Sequence, residues 1–452
     1  MNASYDRYDR NEAIGQSTSR LSPRANARTP YNAPARSGLI ESTLLAAIAV
    51  TLWFAYYARG ESDESLELAA LNLTASTAQA AVLAFGCWTL LARSRFNIWH
   101  PGLWFRLASL LYFSLGAAMP YLVNDTTRDY MQELHAFSDA EILKSNVVVA
   151  TALLCALGTE RIVTRWQSVS AQEVRAHRPA GASLQLYALA FLIVGGSLRY
   201  LVVVPAMLEF SDATLPSLAP ALAKAYSAGI MLAIMIGLRE RNRWLTTGLI
   251  LAALDLITGL LLFSKSDVLV TLLFVVLAAH HERPRLSTLV VGISIIAVLY
   301  SALVPIVTYG RDHAPQIANG QPVGLLQRMQ LVERYWRSEL DETQDMRESG
   351  IQLGLARLSY TNVATLVIGW HDFGRPGDTL EHATAALVPR LLWPGKPDLS
   401  VVGTDLFEAV FGQTGTSISA GWFAEAYWNF GWIGIPLLFL PVGVLLAALG
   451  RL

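Results

Sequence analysis

Charged residues are scarce in this chain, and their scarcity excludes several classes of protein. Asp, Glu, Lys and Arg make up 15% of the 452 residues, against roughly 25% in a typical soluble protein. The charges collect in short clusters, separated by nearly uncharged stretches of about 20 residues. A helix of that length rises about 30 Å and crosses the hydrocarbon of a bilayer. A soluble enzyme, a secreted domain and a disordered chain are therefore excluded.

Cysteine and the common signatures of nucleotide or metal binding are scarce as well. The two cysteines, Cys87 and Cys155, lie in apolar stretches and fit neither a metal site nor a disulfide framework. The net charge of −1 gives no indication of nucleic-acid binding. The sequence contains no Gly-rich phosphate loop, no G-x-S-x-G elbow and no His-x-x-x-His or Cys-x-x-Cys pair. We therefore expect no metal, no cofactor and no nucleic-acid partner.

The uncharged stretches predict an all-α, polytopic integral membrane bundle of about ten transmembrane helices. The predicted spans cover residues 38–58, 69–92, 102–123, 143–163, 183–207, 218–238, 243–263, 267–281, 286–309 and 432–450. Residues 1–37 form a polar tail with six arginines. We expect this tail to be disordered and cytoplasmic and to contain no secretory signal peptide.

The connections between the predicted spans alternate in charge. Those after spans two, four, six and eight are basic, and those after spans one, three and five are acidic. The positive-inside rule then predicts that both termini are cytoplasmic. Residues 310–431 become one large extracytoplasmic loop between a nine-helix region (38–309) and the last helix with the C-terminus (432–452). Because long connections tend to be functional, we expect the active site in this loop.

Two segments of the loop are apolar enough to interact with the membrane. An apolar stripe at helical spacing predicts an amphipathic helix, formed by Leu325, Met329, Val332, Trp336 and Leu340. This helix either lies on the outer membrane surface or packs onto neighbouring helices. Residues 351–370 are interrupted by Arg357 and Asn362, so we interpret this segment as interfacial or re-entrant.

The densest group of candidate functional residues is the proline-rich string at 389–397, Pro-Arg-Leu-Leu-Trp-Pro-Gly-Lys-Pro. Its three prolines prevent a continuous helix, so Arg390 and Lys396 project from a stiff, irregular segment. Trp393 suits the level of the lipid headgroups. Such a segment either binds an anionic ligand at the membrane face or is a turn whose cations meet lipid headgroups.

The order of four sequence features resembles the oligosaccharide repeat-unit polymerases, the O-antigen polymerase-like (Wzy-type) integral membrane proteins. These features are Arg357, the string Gly-Arg-Pro-Gly-Asp-Thr-Leu at 374–380, the proline-rich string at 389–397 and Glu-Ala-Tyr-Trp-Asn-Phe-Gly-Trp-Ile-Gly at 425–434. The string Ser-Lys-Ser-Asp at 264–267 also resembles the family's short Ser-Arg/Lys turn. The many-span layout with a large late loop extends the likeness over most of the chain.

The resemblance implies polymerisation of undecaprenyl-pyrophosphate-linked oligosaccharides into O-antigen, capsule or exopolysaccharide. The reaction would take place at the periplasmic face of the bacterial inner membrane. The expected partners are the lipid-linked donor and acceptor, membrane lipids, a flippase and a chain-length regulator. The energy of the reaction lies in the sugar–pyrophosphate bond, and fixed cations would stabilise the departing charge.

The residues expected to carry this reaction fall into two sets. The catalytic set is Arg390, Lys396, Glu425 and His382. The substrate-binding set is Arg357, Lys265, Arg199, Tyr427, Asn429, Trp393 and Arg375. The general base is left open between Glu425, His382 and His371, the last two of which have acidic neighbours in the sequence, Glu381 and Asp372. Arg199, near the outer end of span five, either binds substrate or extends its side chain to the membrane interface.

Two other functions compete with the polymerase. One is an O-antigen ligase or another polyprenyl-dependent glycosyltransferase, for which Asp63 and Glu64 in the first outer connection are candidate metal ligands. The other is a polysaccharide transporter or export scaffold without catalytic activity. Asp255 is the clearest acidic residue deep in a span and is the feature that supports transport.

Overall fold

The computed structural model of the chain describes most residues between 33 and 451. The described residues are 33–59, 66–93, 95–132, 136–168, 181–208, 219–283, 285–318, 323–337, 356, 358–379, 393, 401–411 and 418–451. They are almost entirely helical, and no strand occurs among them. The predicted all-α fold is confirmed.

We number the helices in chain order. They are α1 (Ala33–Ala58), α2 (Leu66–Arg93), α3 (Pro101–Leu122), α4 (Asp125–Gln132), α5 (Asp139–Ser168), α6 (Ser183–Met207), α7 (Ala219–Glu240), α8 (Arg243–Leu261), α9 (Lys265–Glu282), α10 (Leu286–Ala318), α11 (Leu325–Arg337), α12 (Thr361–Asp372), α13 (Val401–Phe411) and α14 (Trp422–Leu449). Helices α3 and α6 each contain a π-helical stretch, Ser109–Leu115 and Leu198–Val203. Such stretches are frequent at functional sites.

Nine of the described helices are long and apolar enough to cross a membrane. They are α1, α2, α3, α5, α6, α7, α8, α10 and α14, and they coincide with nine of the ten predicted spans. The chain is therefore a polytopic helical membrane protein. The remaining predicted span, 267–281, lies in α9, which is helical as predicted. Helix α9 does not qualify as a span by composition, because its 18 residues include Lys265, Asp267 and Glu282.

The surroundings of α9 nevertheless favour a tenth crossing. Helix α9 packs against α7, α8 and α10, and only three residues separate it from α8 (262–264) and from α10 (283–285). Its 18 residues rise about 27 Å, close to the thickness of the hydrocarbon. The acidic residue in its first turn, Asp267, is neutralised inside the bundle by Arg199 and Lys224.

Contacts between helix ends define two ends of the bundle. At the first, Trp99 before α3 donates from Nε1 to His281 Nδ1 of α9 at 3.2 Å. At the second, Arg59 after α1 donates from Nη1 to the carbonyl of Ala140 in α5 at 3.2 Å. The first end holds described residues of the second and eighth connections, both predicted to be cytoplasmic, and we call it the basic end. The second end holds described residues beside the first and third connections, both predicted to be extracytoplasmic, and we call it the acidic end.

The helices pack in two groups. Helices α1, α2, α3, α5, α12 and α14 enclose an apolar core that includes Leu153 and Phe423, both fully buried. Helices α6 to α9 enclose a second core around Ile230. The groups meet near the basic end, where Ile98 and Leu277 belong to one apolar cluster.

Helix α11 forms where the amphipathic helix was predicted, and three residues of the predicted stripe are exposed. Leu325, Met329 and Trp336 are 38%, 51% and 65% exposed. A second, shorter apolar face formed by Leu331 and Tyr335 is buried against α10 and the turn between α8 and α9. Helix α11 therefore packs onto neighbouring helices, as one of the two alternatives held, and Val332 of the stripe takes part in this packing. The outer membrane surface stays the expectation for the stripe.

The described part of the predicted interfacial segment is helix α12. Its 12 residues rise about 18 Å, which is too short to cross a bilayer. Thr365 and Val367 are completely buried, because α12 packs between α5 and α14 near the acidic end.

The last long helix, α14, begins before the predicted span. It starts at Trp422, although its helical geometry breaks at Gly431 (φ 59°, ψ −144°). The predicted boundary at residue 432 therefore marks a kink rather than the start of a helix. As a consequence, Glu425, Tyr427 and Asn429 lie on a helix and not in the loop where they were predicted.

Candidate functional site

A cavity lies between the ends of α1, α5 and α12 at the acidic end and encloses about 230 Å³. Residues from three distant parts of the sequence line it. Its charged and aromatic lining residues are Tyr56, Arg59, Glu141, Lys144, Asp372 and Phe373. A concave site with a few convergent polar groups is the usual form of a ligand site, so we take this cavity as the candidate functional site.

Lys144 in the second turn of α5 is held by one carboxylate and two tyrosine rings. Its Nζ pairs with Asp372 and lies 5.0 Å and 5.9 Å from the ring centroids of Tyr427 and Tyr56. The Tyr427 hydroxyl donates to Asp372 Oδ1 at 2.9 Å. The carboxylate and the ring faces all stabilise the ammonium. The Lys144 side chain is 12% exposed and that of Asp372 is 37% exposed, so the carboxylate is the more accessible partner.

The other two charged groups of the cavity also have structural partners. The Arg59 guanidinium lies 4.5 Å from the Tyr56 ring centroid and donates to the carbonyl of Ala140. Glu141 closes a capping box at the start of α5. The backbone N–H of Ser138 donates to Glu141 Oε2 at 2.8 Å, and the N–H of Glu141 donates to Ser138 Oγ at 3.3 Å. Other protein groups therefore hold both Arg59 and Glu141 in place. The two positive charges of the cavity are equal in number to its two negative charges.

His371 connects the end of α12 to the kink of α14. Its Nδ1 lies 2.8 Å from the carbonyl oxygen of Trp428, and a carbonyl only accepts, so Nδ1 carries a proton. A Cβ at Gly431 would lie 2.7 Å from His371 Nε2. The backbone conformation of Gly431 is also one that essentially only glycine adopts. His371 and Asp372 thus have different partners and do not form a dyad.

The loop after α12 is fastened to α14 by three hydrogen bonds. Asn429 Nδ2 donates to Thr379 Oγ1 at 2.8 Å. The backbone N–H of Gly377 donates to the Trp428 carbonyl at 3.0 Å, and Trp428 Nε1 donates to the Arg375 carbonyl at 3.2 Å. Two of the strings that carry the family resemblance therefore form one structural unit beside the cavity.

The predicted residues of this region differ in their relation to the cavity. Tyr427 lies against it, through Asp372 and Lys144. Asn429 and Arg375 hold the adjoining loop, and the Arg375 side chain is exposed. Glu425 does not line the cavity, and its backbone carbonyl accepts from Asn429 Nδ2 at 2.8 Å.

Several predicted residues lie outside the described residues. They are Asp63, Glu64, Leu340, Arg357, Glu381, His382, Arg390 and Lys396. Trp393 is described and exposed. The roles assigned to all of these residues stay predictions.

A second charged cluster lies inside the group formed by α6 to α9. Arg199 Nε lies 2.5 Å from Asp255 Oδ1, and Arg199 Nη1 lies 3.3 Å from Asp267 Oδ2. Lys224 pairs with the other oxygen of Asp267, and Thr271 Oγ1 donates to Asp255 Oδ2 at 2.5 Å. Arg199 is 2% exposed and Asp255 is 0% exposed. Arg199 therefore does not reach the membrane interface, and its charge is balanced within the protein.

The string Ser-Lys-Ser-Asp at 264–267 is the start of α9. Ser264 Oγ accepts from the backbone N–H of Asp267 at 3.4 Å, which is the arrangement of a helix N-cap. The cap turns the Asp267 side chain toward Arg199. Lys265 is half-buried at this turn, and its predicted contact with substrate stays a prediction.

A third cluster lies toward the basic end. Arg106 Nε lies 2.7 Å from Glu41 Oε1, and Arg106 Nη1 lies 2.9 Å from Glu160 Oε2. All three residues are buried and connect α1, α3 and α5. Arg106 lies in the predicted span 102–123 and belongs to the interior of the bundle. No set of three or more His, Cys, Asp or Glu placed to hold a metal ion occurs among the described residues.

Sequence reasoning missed the cation of the cavity, Lys144. A usable signal was present, because Lys144 lies within the predicted span 143–163, where an ionisable residue is costly. The sequence gave a weaker indication of function for Arg59 and Tyr56, since an arginine and an aromatic residue at a helix end are typical of any membrane interface.

Comparison with known proteins gives no match to a family model, to a curated protein or to a solved structure. The function is therefore inferred from the residues of this chain and from their geometry.

Proposed function

We propose that this chain polymerises oligosaccharide units carried on a polyprenyl diphosphate, at the acidic end of the bundle. One observation carries the proposal. Two strings of the polymerase-like motif, separated in the sequence, are joined beside the cavity by the Asn429–Thr379 and Gly377–Trp428 hydrogen bonds. A motif whose parts assemble at one place is a stronger indication than the same strings read separately.

The chemistry of the reaction agrees with the residue types of this region. The anomeric carbon of the growing glycan is transferred from its diphosphate to a hydroxyl of the next lipid-linked unit, and the bond to the diphosphate breaks. The departing diphosphate gains negative charge, which fixed cations stabilise. Arg390 and Lys396 of the proline-rich string are the proposed cations, because guanidinium binds phosphate oxygens through two parallel hydrogen bonds.

The charge pattern of the connections supports the side of the membrane on which this happens. With the basic end in the cytoplasm, the acidic end faces the periplasm of a bacterial inner membrane. The partners are then a lipid-linked donor and acceptor within the outer leaflet, with a flippase to supply units and a chain-length regulator.

Reconstituted protein tests the proposal. Wild-type protein in liposomes with lipid-linked oligosaccharide should yield glycans of higher mass and release polyprenyl diphosphate. Arg390→Ala should abolish the products at normal protein abundance, and Arg390→Lys should restore them only in part, because the fork geometry is lost. Absence of elongation by the wild type would contradict the proposal, and normal elongation by Arg390→Ala would remove the role of Arg390.

An O-antigen ligase uses the same donor and differs in its acceptor. The reconstituted assay separates the two when lipid A core is offered beside a second lipid-linked unit. Transfer to the lipid-linked unit supports the polymerase, and transfer to lipid A core alone supports the ligase.

Transport is the second candidate function, and the buried cluster of Arg199, Asp255, Asp267 and Lys224 favours it. Ionisable residues inside a membrane bundle often mark a path for ions or substrates. Translocation of the lipid-linked oligosaccharide without elongation, in the same liposomes, would support transport over polymerisation.

A further inference from the structure

The charge of the cavity argues against a diphosphate as its ligand. Arg59 and Lys144 contribute two positive charges, and Glu141 and Asp372 contribute two negative charges. A diphosphate placed there would meet two carboxylates at close range. The ligand that fits a balanced set of donors and acceptors is neutral and carries many hydroxyls.

The positive charge of Lys144 is already neutralised by its neighbours. Its ammonium pairs with Asp372 and lies over the rings of Tyr427 and Tyr56. Because these contacts surround a side chain that is largely buried, Lys144 is suited to positioning Asp372 rather than to binding an anion of its own.

Asp372 has acceptor capacity that the described residues do not use. Its Oδ1 accepts from Tyr427 and its Oδ2 accepts from Lys144, while two carboxylate oxygens offer about four lone-pair sites. The side chain is 37% exposed and lies on the wall of the cavity. It can therefore accept a further hydrogen bond from a ligand hydroxyl.

The size and walls of the cavity fit one sugar ring. Its volume of about 230 Å³ is below the roughly 300–1,000 Å³ of sites for drug-sized molecules. Tyr56 in the wall and the adjacent Tyr427 provide rings with a polar tip, a combination that suits a ligand with both apolar faces and hydroxyls. A whole lipid-linked oligosaccharide does not fit, but its terminal sugar does.

We propose that this cavity binds the terminal sugar of the acceptor glycan and that Asp372 accepts a hydrogen bond from one of its hydroxyls. Lys144 and Tyr427 are positioning residues that fix the carboxylate. The inference rests on the proposed function for the identity of the glycan. It assigns a neutral sugar to the cavity, while the diphosphate stays with Arg390 and Lys396 under the proposed function.

Binding of a lipid-free ligand tests the inference separately from catalysis. The probe is the oligosaccharide released by mild acid from the lipid-linked unit, titrated into purified full-length protein and followed by saturation-transfer NMR. Wild-type protein should bind it, Asp372→Asn should weaken binding at least tenfold, and inorganic pyrophosphate should not compete. Lys144→Met should weaken binding and Lys144→Arg should restore part of it, because the arginine still pairs with Asp372.

The matched control is Asp129→Asn, since Asp129 is an exposed carboxylate on α4 and does not line the cavity. It should bind the oligosaccharide as the wild type does. Binding by Asp372→Asn with wild-type affinity, or competition by pyrophosphate, would overturn the inference about the cavity. The proposed function would still be supported in that case if the wild-type protein elongates glycans. Binding that depends on Asp372 without elongation would uphold the cavity and contradict the polymerase.

Discussion

The cavity at the acidic end and the cluster inside α6 to α9 each contain two cations and two carboxylates, yet they differ in accessibility. In the cavity Asp372 is 37% exposed and lies on an open wall. In the cluster Asp255 is 0% exposed and its partner Arg199 is 2% exposed. The two sets therefore differ in purpose, since the Asp372 carboxylate can receive a ligand and the Arg199–Asp255 pair is buried inside the bundle.

The comparison predicts opposite consequences for substitution. Removing one member of a buried pair leaves an unpaired charge and costs several kcal/mol. Removing one member of an accessible pair changes stability little, because water replaces the lost partner. The cluster should therefore control stability, and the cavity should control ligand binding.

Asp255→Ala should give the largest loss of stability. The buried guanidinium of Arg199 loses its close partner, which costs about 3–5 kcal/mol. Unfolding in mixed detergent micelles measures the effect. The double variant Arg199→Met with Asp255→Leu should regain most of the loss, because Asp267 keeps Lys224 as its partner. A double variant as unstable as the single one would contradict the pairing.

Gly431→Ala should give the next largest effect. The backbone at φ 59° and ψ −144° is strained for any residue with a Cβ, at a cost of about 1–3 kcal/mol, and the new methyl would also contact His371. Gly158→Ala is the control, because a Cβ there meets nothing within 4 Å. This control should gain about 0.5–1 kcal/mol, since it lies inside a helix. The same change in stability for Gly431→Ala and Gly158→Ala in the unfolding assay would contradict the kink at Gly431.

Asp372→Asn should change stability by less than about 1 kcal/mol, because Asp372 is the more exposed partner and the asparagine side-chain oxygen still accepts from Lys144. Elongation in liposomes should nevertheless fall at least tenfold. The two variants should therefore differ in kind, because Asp255→Ala should lose stability and Asp372→Asn should lose function. A large loss of stability in Asp372→Asn would mean that both sets of charges are structural.

The exposed stripe of α11 should report on its surroundings without affecting stability. Spin labels at Met329→Cys and Gln330→Cys, in a variant without Cys87 and Cys155, should differ in collisional accessibility. The label at residue 329 should meet dissolved oxygen in the lipid, and the label at residue 330 should meet a water-soluble nickel complex. The same accessibility at both positions would rule out contact of the stripe with the membrane surface.

Sequence predicted the spans well because a membrane span needs only length and low charge. It also placed the last boundary beside Gly431, where the string Asn-Phe-Gly interrupts the helix. It predicted helix α11 but not its buried face, since the two buried residues Leu331 and Tyr335 are too few to give a periodic signal.

The composition of the candidate site could be predicted only in part. Tyr427 and Asn429 were found through the motif resemblance, but their partners Lys144 and Thr379 lie on other segments. Pairings across such distances depend on how the helices pack, and no local spacing encodes them. The same limit applies to Arg199, whose two aspartates come from α8 and α9.

The most direct test is to measure on which side of the membrane the cavity lies. The test uses single cysteines at two positions in a variant without Cys87 and Cys155. Arg375 lies on the loop beside the cavity, and Arg283 is exposed at the basic end. Spheroplasts that carry either cysteine are treated with a membrane-impermeant maleimide. Arg375→Cys should be labelled in intact spheroplasts, and Arg283→Cys should be labelled only after lysis. The reverse pattern would place the cavity in the cytoplasm, on the wrong side of the membrane for a lipid-linked glycan that is lengthened outside.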